Sequence, residues 1–448
     1  MDVKISVIGA GSAVFSLTLI RGLCTSECLE GSTVSLMDID EERLSAAYAL
    51  LRRYAEELGV RLKVEKTMDR RESLRDADFV INTALAAGHH RLREGWRVAR
   101  SMGYRHGGSL HVMHDEAFWI NFYQFRLFES ILEDMLDVCP DAWYVQLANP
   151  VLASITYLGR KYPEAKIVGL CHGFMGAYRL ADALGLERSR VSFEAIGVNH
   201  FIWLTSFRYN GEDAYPLIDE WLEREASRYW ERCPPSDPLG PKAFDLYKRL
   251  GLFPVGDTCT PGGGSWPHWY HLDDETERRW REDPSGWWEG YFKWVSRRVE
   301  ELLSMARDPS IKVTERLPPH EREGLVIPLI ESLACGRKRV LQVNILNRGA
   351  LIPGIPQDFA VELPALVSSR GVQGIQTSGL PRRITAYILR DRVAPVEVEL
   401  EAYESGDREL LVQLVMMDPW TRSREQAERL VEGILSLPYH EEMRKHYR

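Results

Sequence analysis

A chain of 448 residues is longer than one hydrophobic core usually supports, so we expect two domains. The formal net charge of -9 argues against a surface for nucleic acid or anionic membrane, because phosphate binding needs a basic face. The sequence has no apolar run near the ~18 residues of a membrane span, no signal-peptide pattern at "MDVKISVIGAG", and seven scattered cysteines that form no disulfide framework. We therefore expect a cytoplasmic protein with no nucleic-acid or membrane partner.

The first half of the chain alternates strand and helix patterns. "VKISVIGAG" is an apolar run that stops at glycines, as a parallel strand buried on both faces does. Strands are predicted at 3–11, 32–40, 76–88 and 142–150, and helices at 12–24 and 40–59. This alternation predicts an α/β fold, with a Rossmann-like doubly wound parallel sheet over residues 1–195.

The pattern changes after "GVNHFIWL" at 197–204 to longer helices and a glycine- and proline-rich loop at 255–269. We place a second domain of α+β character, for substrate binding and oligomerisation, at 196–448. Several tryptophans cluster between Trp266 and Trp294. Such clusters are usually packing, although aromatic platforms also bind sugars.

The first strand leads into a candidate dinucleotide loop, "VIGAGSAVF". Gly9 permits a sharp turn, Gly11 permits close approach to a pyrophosphate, and Ser12 opens the following helix, whose amides suit an anion. Val14 occupies the third glycine position of the usual fingerprint, so the motif alone is weak. Asp38, at the end of the second strand, is placed to accept hydrogen bonds from the ribose of NAD. A glycine turn with a helix-capping aspartate is the alternative.

Polar residues also end several of the predicted strands. Ligands of open α/β sheets bind beyond the carboxyl ends of the strands, so one crevice should gather these residues. They are Asn82, beside the cofactor, and Asn149, Cys171, His172, Asn199 and His200.

A thiolate with an imidazole suits a divalent transition ion, and two protein ligands leave positions for substrate oxygens. We therefore predict that Cys171 and His200 bind a metal. Taken singly, Cys171 is better explained as a small buried residue and His200 as a core histidine. Their shared place at strand ends in a dinucleotide domain favours the metal.

These residues belong to a wider pattern that covers essentially the whole chain. Its pieces are "GAGS" at 9, "ANP" at 148, "GLCHG" at 169, "GVNHFIWL" at 197, "PVGDT" at 254, "NILNRGALIPGIP" at 344 and "VELPALV" at 361. The combination resembles glycoside hydrolase family 4, whose enzymes use NAD and a divalent metal, usually Mn²⁺. "FRYNGEDAYPLIDEW" at 207 and "MRKHY" at 443 are most similar to the α-glucuronidase branch, with α-galacturonidases next. The resemblance implies a C-terminal domain like that of lactate and malate dehydrogenases.

The resemblance also implies a redox-assisted elimination in place of two-carboxylate hydrolysis. NAD takes a hydride from C3 of the sugar, and the ketone acidifies the C2 proton. A base removes this proton, and the C1 substituent leaves with help from an acid. Water then adds to the unsaturated ketone, and the same NADH returns the hydride to the sugar. The implied substrate is a small uronic acid glycoside, an α-glucuronide first.

Roles follow residue by residue from the resemblance. Cys171 and His200 match metal-ligand positions, and Asn149 and His172 match positions that contact sugar hydroxyls and the metal surroundings. Asp257, in "GDT", is the candidate base for C2.

Asp115, in "MHDEAFW", is the candidate acid for the leaving group. His111 and His114 are alternatives for this role, and Asp115 is equally explained as a helix N-cap. Thr258 follows Asp257 where many relatives have an arginine, so substrate contacts in this loop stay open.

A uronic acid carries a carboxylate, so its pocket should hold a cation or amide donors. Arg348, in "NILNRG", is the candidate cation, and Asn347 is a candidate sugar contact. Arg348 is equally explained as a solvated loop residue, and Asn347 as part of a turn with Gly349.

Two other functions share parts of the pattern. A lactate- or malate-type dehydrogenase has the same N-terminal architecture, but it uses a histidine–carboxylate relay without Mn²⁺ and turns over free NAD. The second alternative function is a non-catalytic sensor that binds NAD. We expect NAD and Mn²⁺, or another divalent metal, as cofactors, and a homodimer or homotetramer, as relatives commonly are.

Overall fold

The computed structural model describes residues 2–12, 16–105, 117–319 and 324–448. The described residues form one mixed sheet of 13 strands, in the order β10-β8-β7-β12-β11-β6-β5-β4-β1-β2-β3, with β13 beside β12 and β9 beside β8. The strands are β1 (Lys4–Ile8), β2 (Thr33–Met37), β3 (Lys63–Thr67), β4 (Phe79–Asn82), β5 (Trp143–Gln146), β6 (Lys166–Gly169), β7 (Val191–Val198), β8 (Phe201–Tyr209), β9 (Glu212–Asp213), β10 (Phe253–Val255), β11 (Arg339–Leu346), β12 (Ala360–Ser368) and β13 (Gly371–Gly374).

Helices cover both faces of this sheet and extend along the C-terminal half. They are α1 (Ser16–Cys24), α2 (Glu41–Leu58), α3 (Arg70–Leu74), α4 (Gly88–Ser101), α5 (Phe118–Val138), α6 (Val151–Lys161), α7 (Gly176–Ala183), α8 (Tyr215–Arg224), α9 (Ala226–Trp230), α10 (Pro241–Leu250), α11 (Asp274–Trp280), α12 (Pro284–Arg307), α13 (Val313–Arg316), α14 (Val326–Cys335), α15 (Arg382–Ile388), α16 (Ala394–Ser405), α17 (Arg408–Met416), α18 (Arg424–Leu435) and α19 (Glu441–His446).

The first six strands are parallel and lie in the order 3-2-1-4-5-6. This is the strand order of the Rossmann fold, whose ligands bind where the order reverses, beyond the carboxyl ends of β1 and β4. The predicted doubly wound parallel sheet is therefore confirmed. Local signals act as expected: α2 begins after Asp40, whose side chain accepts a hydrogen bond from the Arg43 amide, and ends at Gly59 with φ 67°.

The apolar runs of the central strands follow from burial on both faces. Val80 belongs to a hydrophobic cluster with Phe118 and Trp119, while the next residue, Ile81, belongs to a second cluster with Leu50. Successive strand residues point to opposite faces, so each face needs its own apolar partner.

The second half of the chain continues the same sheet with antiparallel strands. β11 joins β6 through a single pair, Asn344 with Gly169, and β12 joins β7 through another, Glu362 with Gly197. The α+β character expected of the C-terminal part is confirmed. The proposed boundary between residues 195 and 196 falls inside β7, and it stays a prediction.

One disulfide departs from the expectation drawn from the scattered cysteines. Cys28, in a short 3-10 turn after α1, is bonded to Cys335, the last residue of α14, with Cα atoms 6.4 Å apart. The bond joins segments 307 residues apart in the chain. Within the described ranges, every helix falls short of the length and apolarity that a membrane span requires.

Candidate active site

The turn after β1 is held tightly against its neighbours. Gly9 has φ +83°, and its amide donates a 2.9 Å hydrogen bond to the carbonyl of Met37. A Cβ on Gly9 would lie 2.6 Å from the backbone of Ala84, so a residue with a side chain does not fit here. The backbone after β4 therefore lies directly against the turn after β1.

The next residues connect this turn to the end of β2. The amide of Gly11 donates to Oδ2 of Asp38 (2.8 Å), and the amide of Ser12 donates to the carbonyl of Gly9 (2.9 Å). A Cβ on Gly11 would lie 2.9 Å from Asp38 Oδ2. The predicted strand, glycine turn and acidic residue thus meet at one edge of the sheet, and Val14 lies outside the described residues.

Asn82 ends β4 and is fully buried. Its Nδ2 donates to the Tyr144 hydroxyl (2.8 Å) and to Oε1 of Gln146 (3.1 Å), and its Oδ1 accepts from the Ala84 amide (3.1 Å). These bonds use the side chain to align β4 with β5. A direct cofactor contact by this side chain stays a prediction.

Cys171 and His200 are brought together by the sheet. Cys171 follows the carboxyl end of β6, and His200 lies in the two-residue connection between β7 and β8. Cys171 Sγ lies 3.2 Å from His200 Nε2. The two side chains therefore converge, as their strand-end positions predicted.

The backbone at His200 is strained. Its φ is +121°, a conformation that residues with a Cβ rarely adopt, and its amide bonds to the carbonyl of Val198 (2.6 Å). Nearby, a Cβ on Gly197 would lie 2.2 Å from the Phe201 carbonyl. Strain of this kind clusters at functional sites, where the surrounding fold holds a side chain in place.

Asp257 is the third side chain at this point. It lies in a 3-10 turn, Gly256–Cys259, directly after β10, and its Oδ2 is 3.8 Å from His200 Nε2. The Thr260 hydroxyl donates to its Oδ1 (2.5 Å). Thr258, which follows the candidate base, both accepts from the amide of Ile202 (2.9 Å) and donates to its carbonyl (3.1 Å). The turn is thereby fixed to β8.

A buried carboxylate lies behind the pair, and the sequence did not single it out. Glu362 is fully buried on β12 and accepts a hydrogen bond from Asn199 Nδ2 (3.0 Å). Burial raises the pKa of Glu362, while Asn199 and the nearby His200 oppose that shift. A charged residue inside the otherwise apolar run "AVELPALV" was the available signal, because a buried acid needs a reason to be there.

The structure corrects the placement of Asn347 and Arg348. β11 runs antiparallel to β6, and Asn344 opposes Gly169, so residues after 346 lie toward the amino end of β6. Arg348 is exposed and lines a separate cavity of about 510 Å³ with Lys166, the first residue of β6. Asn347 is fully buried, and its Nδ2 bonds to two backbone carbonyls of the following loop. Neither residue reaches the Cys171–His200 pair.

The remaining candidates differ in position. Asn149 is half-buried after β5, and its carbonyl accepts from Gln124 (2.6 Å). His172 is exposed beside the pair, and a Cβ on Gly324 would lie 3.7 Å from its Cε1. Asp115 lies outside the described residues, as do its alternatives His111 and His114.

Comparison with known proteins gives the family. The model of the family 4 glycosyl hydrolases matches residues 4–186, and the model of the family 4 glycosyl hydrolase C-terminal domain matches residues 195–421. The chain belongs to the family 4 glycosyl hydrolases. The resemblance drawn from the sequence motifs is therefore confirmed.

Two relatives align with this chain over nearly their whole length. An α-glucosidase of Erwinia rhapontici is 27% identical, with 97% of this chain and 98% of that protein covered. An α-galacturonidase of Thermoanaerobacterium saccharolyticum is also 27% identical, with 97% and 95% covered.

Solved structures support the fold. A 6-phospho-α-glucosidase from gut microorganisms, in complex with NAD and glucose-6-phosphate, has a TM-score of 0.79 at 18% identity and covers 100% of this chain and 99% of its own. The 6-phospho-β-glucosidase of Thermotoga maritima, with manganese, NAD⁺ and glucose-6-phosphate, has a TM-score of 0.76 at 20% identity and covers 99% of each. Malate dehydrogenase of Plasmodium falciparum reaches 0.51 at 12% identity, over 92% of this chain and 99% of its own, which confirms the expected likeness to that fold.

Proposed function

We propose that this protein hydrolyses α-linked uronic acid glycosides with NAD and a divalent metal such as Mn²⁺. Its leading candidate substrates are α-glucuronides. The observation that supports this proposal most is the convergence of Cys171, His200 and Asp257 beyond the carboxyl edge of a Rossmann sheet. NAD and manganese in the Thermotoga maritima structure support the cofactors. The α-galacturonidase relative supports a substrate that carries a carboxylate.

The residues after β1 and β2 fit a dinucleotide. Gly9 and Gly11 have no room for a Cβ, and a turn without side chains is what the close approach of a pyrophosphate requires. Asp38 is half-buried at the end of β2, where a carboxylate can accept from ribose hydroxyls. We propose that Gly9, Gly11, Ser12 and Asp38 bind NAD, with Asn82 holding the end of β4 beside it.

The donor chemistry of Cys171 and His200 fits a divalent transition ion. A separation of 3.2 Å is short enough for one ion to bind both atoms. Within the described ranges, no group of three or more His, Cys, Asp or Glu side chains is arranged to hold a metal by itself. We propose that this open pair leaves the other positions to oxygens of the substrate, with Asn149 and His172 contacting the sugar.

When bound, the cofactors supply a hydride acceptor for C3 and a Lewis acid for the sugar oxygens. Asp257 then takes the C2 proton, because its Oδ2 faces the Cys171–His200 pair and its carboxylate is half-exposed. The Thr260 hydroxyl orients the carboxylate through Oδ1. Asp115 is proposed to protonate the leaving group, with His111 and His114 as alternatives.

Hydrolysis of 4-nitrophenyl α-glucuronide tests the proposal. With NAD⁺, Mn²⁺ and a thiol reductant present, we expect release of 4-nitrophenol, and we expect no release when either cofactor is omitted. NADH, separated by chromatography because 4-nitrophenol also absorbs at its wavelength, should not accumulate with turnover, since the hydride returns to the sugar. Stoichiometric accumulation of NADH would instead favour the dehydrogenase, and hydrolysis without NAD⁺ would contradict the mechanism. Absence of hydrolysis under every combination, with NAD⁺ still bound, would favour the non-catalytic sensor.

The C4 epimer is the second candidate substrate, and the α-galacturonidase relative favours it. Matched 4-nitrophenyl α-glycosides of glucuronate, galacturonate, glucose and galactose separate the possibilities. A higher kcat/KM for the two uronides supports the substrate class, and the ratio between them assigns the C4 configuration. A higher kcat/KM for the neutral sugars contradicts the uronide proposal.

We also propose that the chain forms a homodimer or homotetramer through its C-terminal part, and that it works in the cytoplasm. Val340 on β11 is 61% exposed and lies opposite Leu366 on β12, which is 37% exposed. Adjacent exposed apolar side chains favour an interface between copies of the chain. Light scattering coupled to gel filtration measures the assembly, and V340D should lower its mass if this patch is used.

A further inference from the structure

Helix α12 carries a stacked aromatic pair, Trp287 and Tyr291, of which Trp287 lies near the candidate base. Trp288 and Phe292 face the core, with exposures of 2% and 9%. Trp287 and Tyr291 precede them by one residue and are only half-buried. Four residues apart, they share one face of the helix, and their rings are parallel within 4°, with centroids 5.9 Å apart. We call this pair the aromatic wall.

Trp287, one ring of the aromatic wall, lies close to Asp257. A Cβ on Gly262 would be 3.0 Å from Cη2 of Trp287 and 3.1 Å from Oδ1 of Asp257. A Cβ on Gly262 would therefore lie between the indole and the carboxylate, and glycine leaves that position empty. Asp257 Oδ2 points the other way, toward His200 at 3.8 Å.

Tyr291, the other ring of the aromatic wall, contacts the segment that follows β4. The Tyr291 hydroxyl lies 3.3 Å from Nε2 of His89, which follows β4 at the start of α4. Burial lowers the pKa of His89 to about 4, and the charge of Arg43 adds to that shift, so the imidazole is neutral at pH 7. A Cβ on Gly11 would lie 2.7 Å from the Cβ of Arg43. The wall thus runs from the turn that carries Asp257 to the segment that follows β4.

We infer that the aromatic wall binds the leaving group of the glycoside and determines which leaving groups the enzyme accepts. This inference rests on the proposed function, in which Asp257 removes the C2 proton. The Cys171–His200 pair lies on the Oδ2 side of Asp257. The C2 and C3 oxygens of a sugar bound to the metal therefore lie on that side too. C1 is bonded to C2 on the side away from C3. Its substituent is therefore directed toward the Oδ1 side of Asp257 and toward Trp287. An aromatic leaving group gains most from an aromatic face.

The test compares two α-glucuronides that differ only in the leaving group, 4-nitrophenyl and methyl. Trp287→Leu keeps apolar bulk but removes the aromatic face, and Trp287→Phe restores one. We expect Trp287→Leu to lower kcat/KM about 3- to 10-fold for the 4-nitrophenyl glycoside and less than about 2-fold for the methyl glycoside. Trp287→Phe should recover most of the loss. Trp143→Leu is the matched control, because Trp143 is also half-buried but begins β5 at the opposite edge of the sheet, where it lines the cavity with Lys166.

A second measurement does not depend on turnover. Without added metal, equilibrium binding of the same two glycosides to the NAD⁺-loaded enzyme should show the same selective loss in Trp287→Leu. Equal losses for both glycosides, or no loss, would overturn the inference. If the wild type prefers neutral sugars, the proposed substrate class fails, but 4-nitrophenyl and methyl α-glucosides give the same ratio. The two failures are therefore distinguishable.

Discussion

Gly176 and Gly256 pack backbone against backbone: a Cβ on Gly176 would lie 2.5 Å from the amide nitrogen of Gly256. In the other direction, a Cβ on Gly256 would lie 2.6 Å from the Cα of Gly173. These glycines join the segment that follows Cys171 to the turn that carries Asp257. The short distance between the Cys171–His200 pair and Asp257 therefore depends on the absence of side chains at Gly176 and Gly256.

Gly176→Ala should separate the two segments. Gly176 is the first residue of α7, and alanine gains up to ~1 kcal/mol over glycine in helix propensity. The contact with Gly256 opposes this gain, so we expect a net loss of ~1–3 kcal/mol in the free energy of unfolding. We also expect kcat/KM to fall at least about ten-fold, since misplacement by about 1 Å costs up to ~100-fold. Urea denaturation and steady-state kinetics measure the two effects.

The control for this variant is Gly290→Ala on α12, where an added Cβ meets no atom within 4 Å. It should leave stability unchanged or raise it. A Gly176→Ala protein as stable and as active as the wild type would show that the glycine contact does not set the geometry of the site.

Cys171→Ser replaces a soft thiolate with a hard, neutral hydroxyl. If Cys171 binds the metal, the Mn²⁺ concentration for half-maximal activity should rise at least about ten-fold. Titration of the metal-free enzyme with Mn²⁺ measures this, and isothermal titration calorimetry reports the same shift without turnover. Cys233→Ser is the control, since Cys233 is also half-buried but lines a different cavity with Arg179. An unchanged titration in Cys171→Ser would reject the ligand.

Asp257→Asn keeps the shape of the side chain and removes its basicity. We expect kcat to fall about 100- to 10,000-fold, as for loss of a general base, with NAD⁺ binding unchanged. Exchange of the C2 proton with deuterated water should stop. Asp274→Asn, an exposed aspartate at 78% side-chain exposure, should retain both activity and exchange. Retention of C2 exchange in Asp257→Asn would move the base to another residue.

The sequence predicted the parallel half of the sheet because its signals are local. Apolar runs, glycine turns and strand-end polar residues are set by neighbours in the chain, and they placed Gly9, Asp38, Cys171 and His200 at one edge. Arg348 was misplaced because its position depends on the direction of β11 against β6, which no local signal carries. A motif does not indicate which end of the sheet it occupies unless the direction of its strand is known.

Three other features depend on contacts far apart in the chain. Glu362 meets Asn199 across 163 residues, and the disulfide joins segments 307 residues apart. The aromatic wall was present in the sequence only as a tryptophan cluster, because which rings face the crevice is decided by the rotation of α12. Packing of Trp288 and Phe292 into the core sets that rotation.

The disulfide should stabilise the fold without taking part in the reaction. Cys28 lies in the 3-10 turn after α1 and Cys335 at the end of α14, both outside the Cys171–His200 site. Cys28→Ser with Cys335→Ser should lower the free energy of unfolding by ~2–5 kcal/mol, because the bond closes a long loop in the unfolded chain. Thiol titration of the denatured, unreduced wild type should count the five free cysteines. Seven titrated thiols would show that the bond does not form.

Glu399 should make stability depend on pH. It is buried on α16, where it accepts a 3.3 Å hydrogen bond from Asn121 of α5, and burial raises the pKa of its carboxyl to about 8. The unfolded chain loses this proton near the ordinary value of 4.5, whereas the folded protein keeps it up to about 8. Ionisation therefore favours the unfolded state as pH rises between these values, and the loss is complete above pH 8.

Glu399→Gln keeps the acceptor for Asn121 and removes the titration. At pH 4 the variant should match the wild type, since both side chains are neutral in both states. Between pH 5 and pH 8 the variant should gain in relative stability by about 1.4 kcal/mol per pH unit. Urea denaturation at pH 5, 6.5 and 8 measures this difference. Glu401→Gln, on the exposed face of the same helix, should follow the wild-type profile, and a Glu399→Gln profile parallel to the wild type would show that the carboxyl is ionised in the fold.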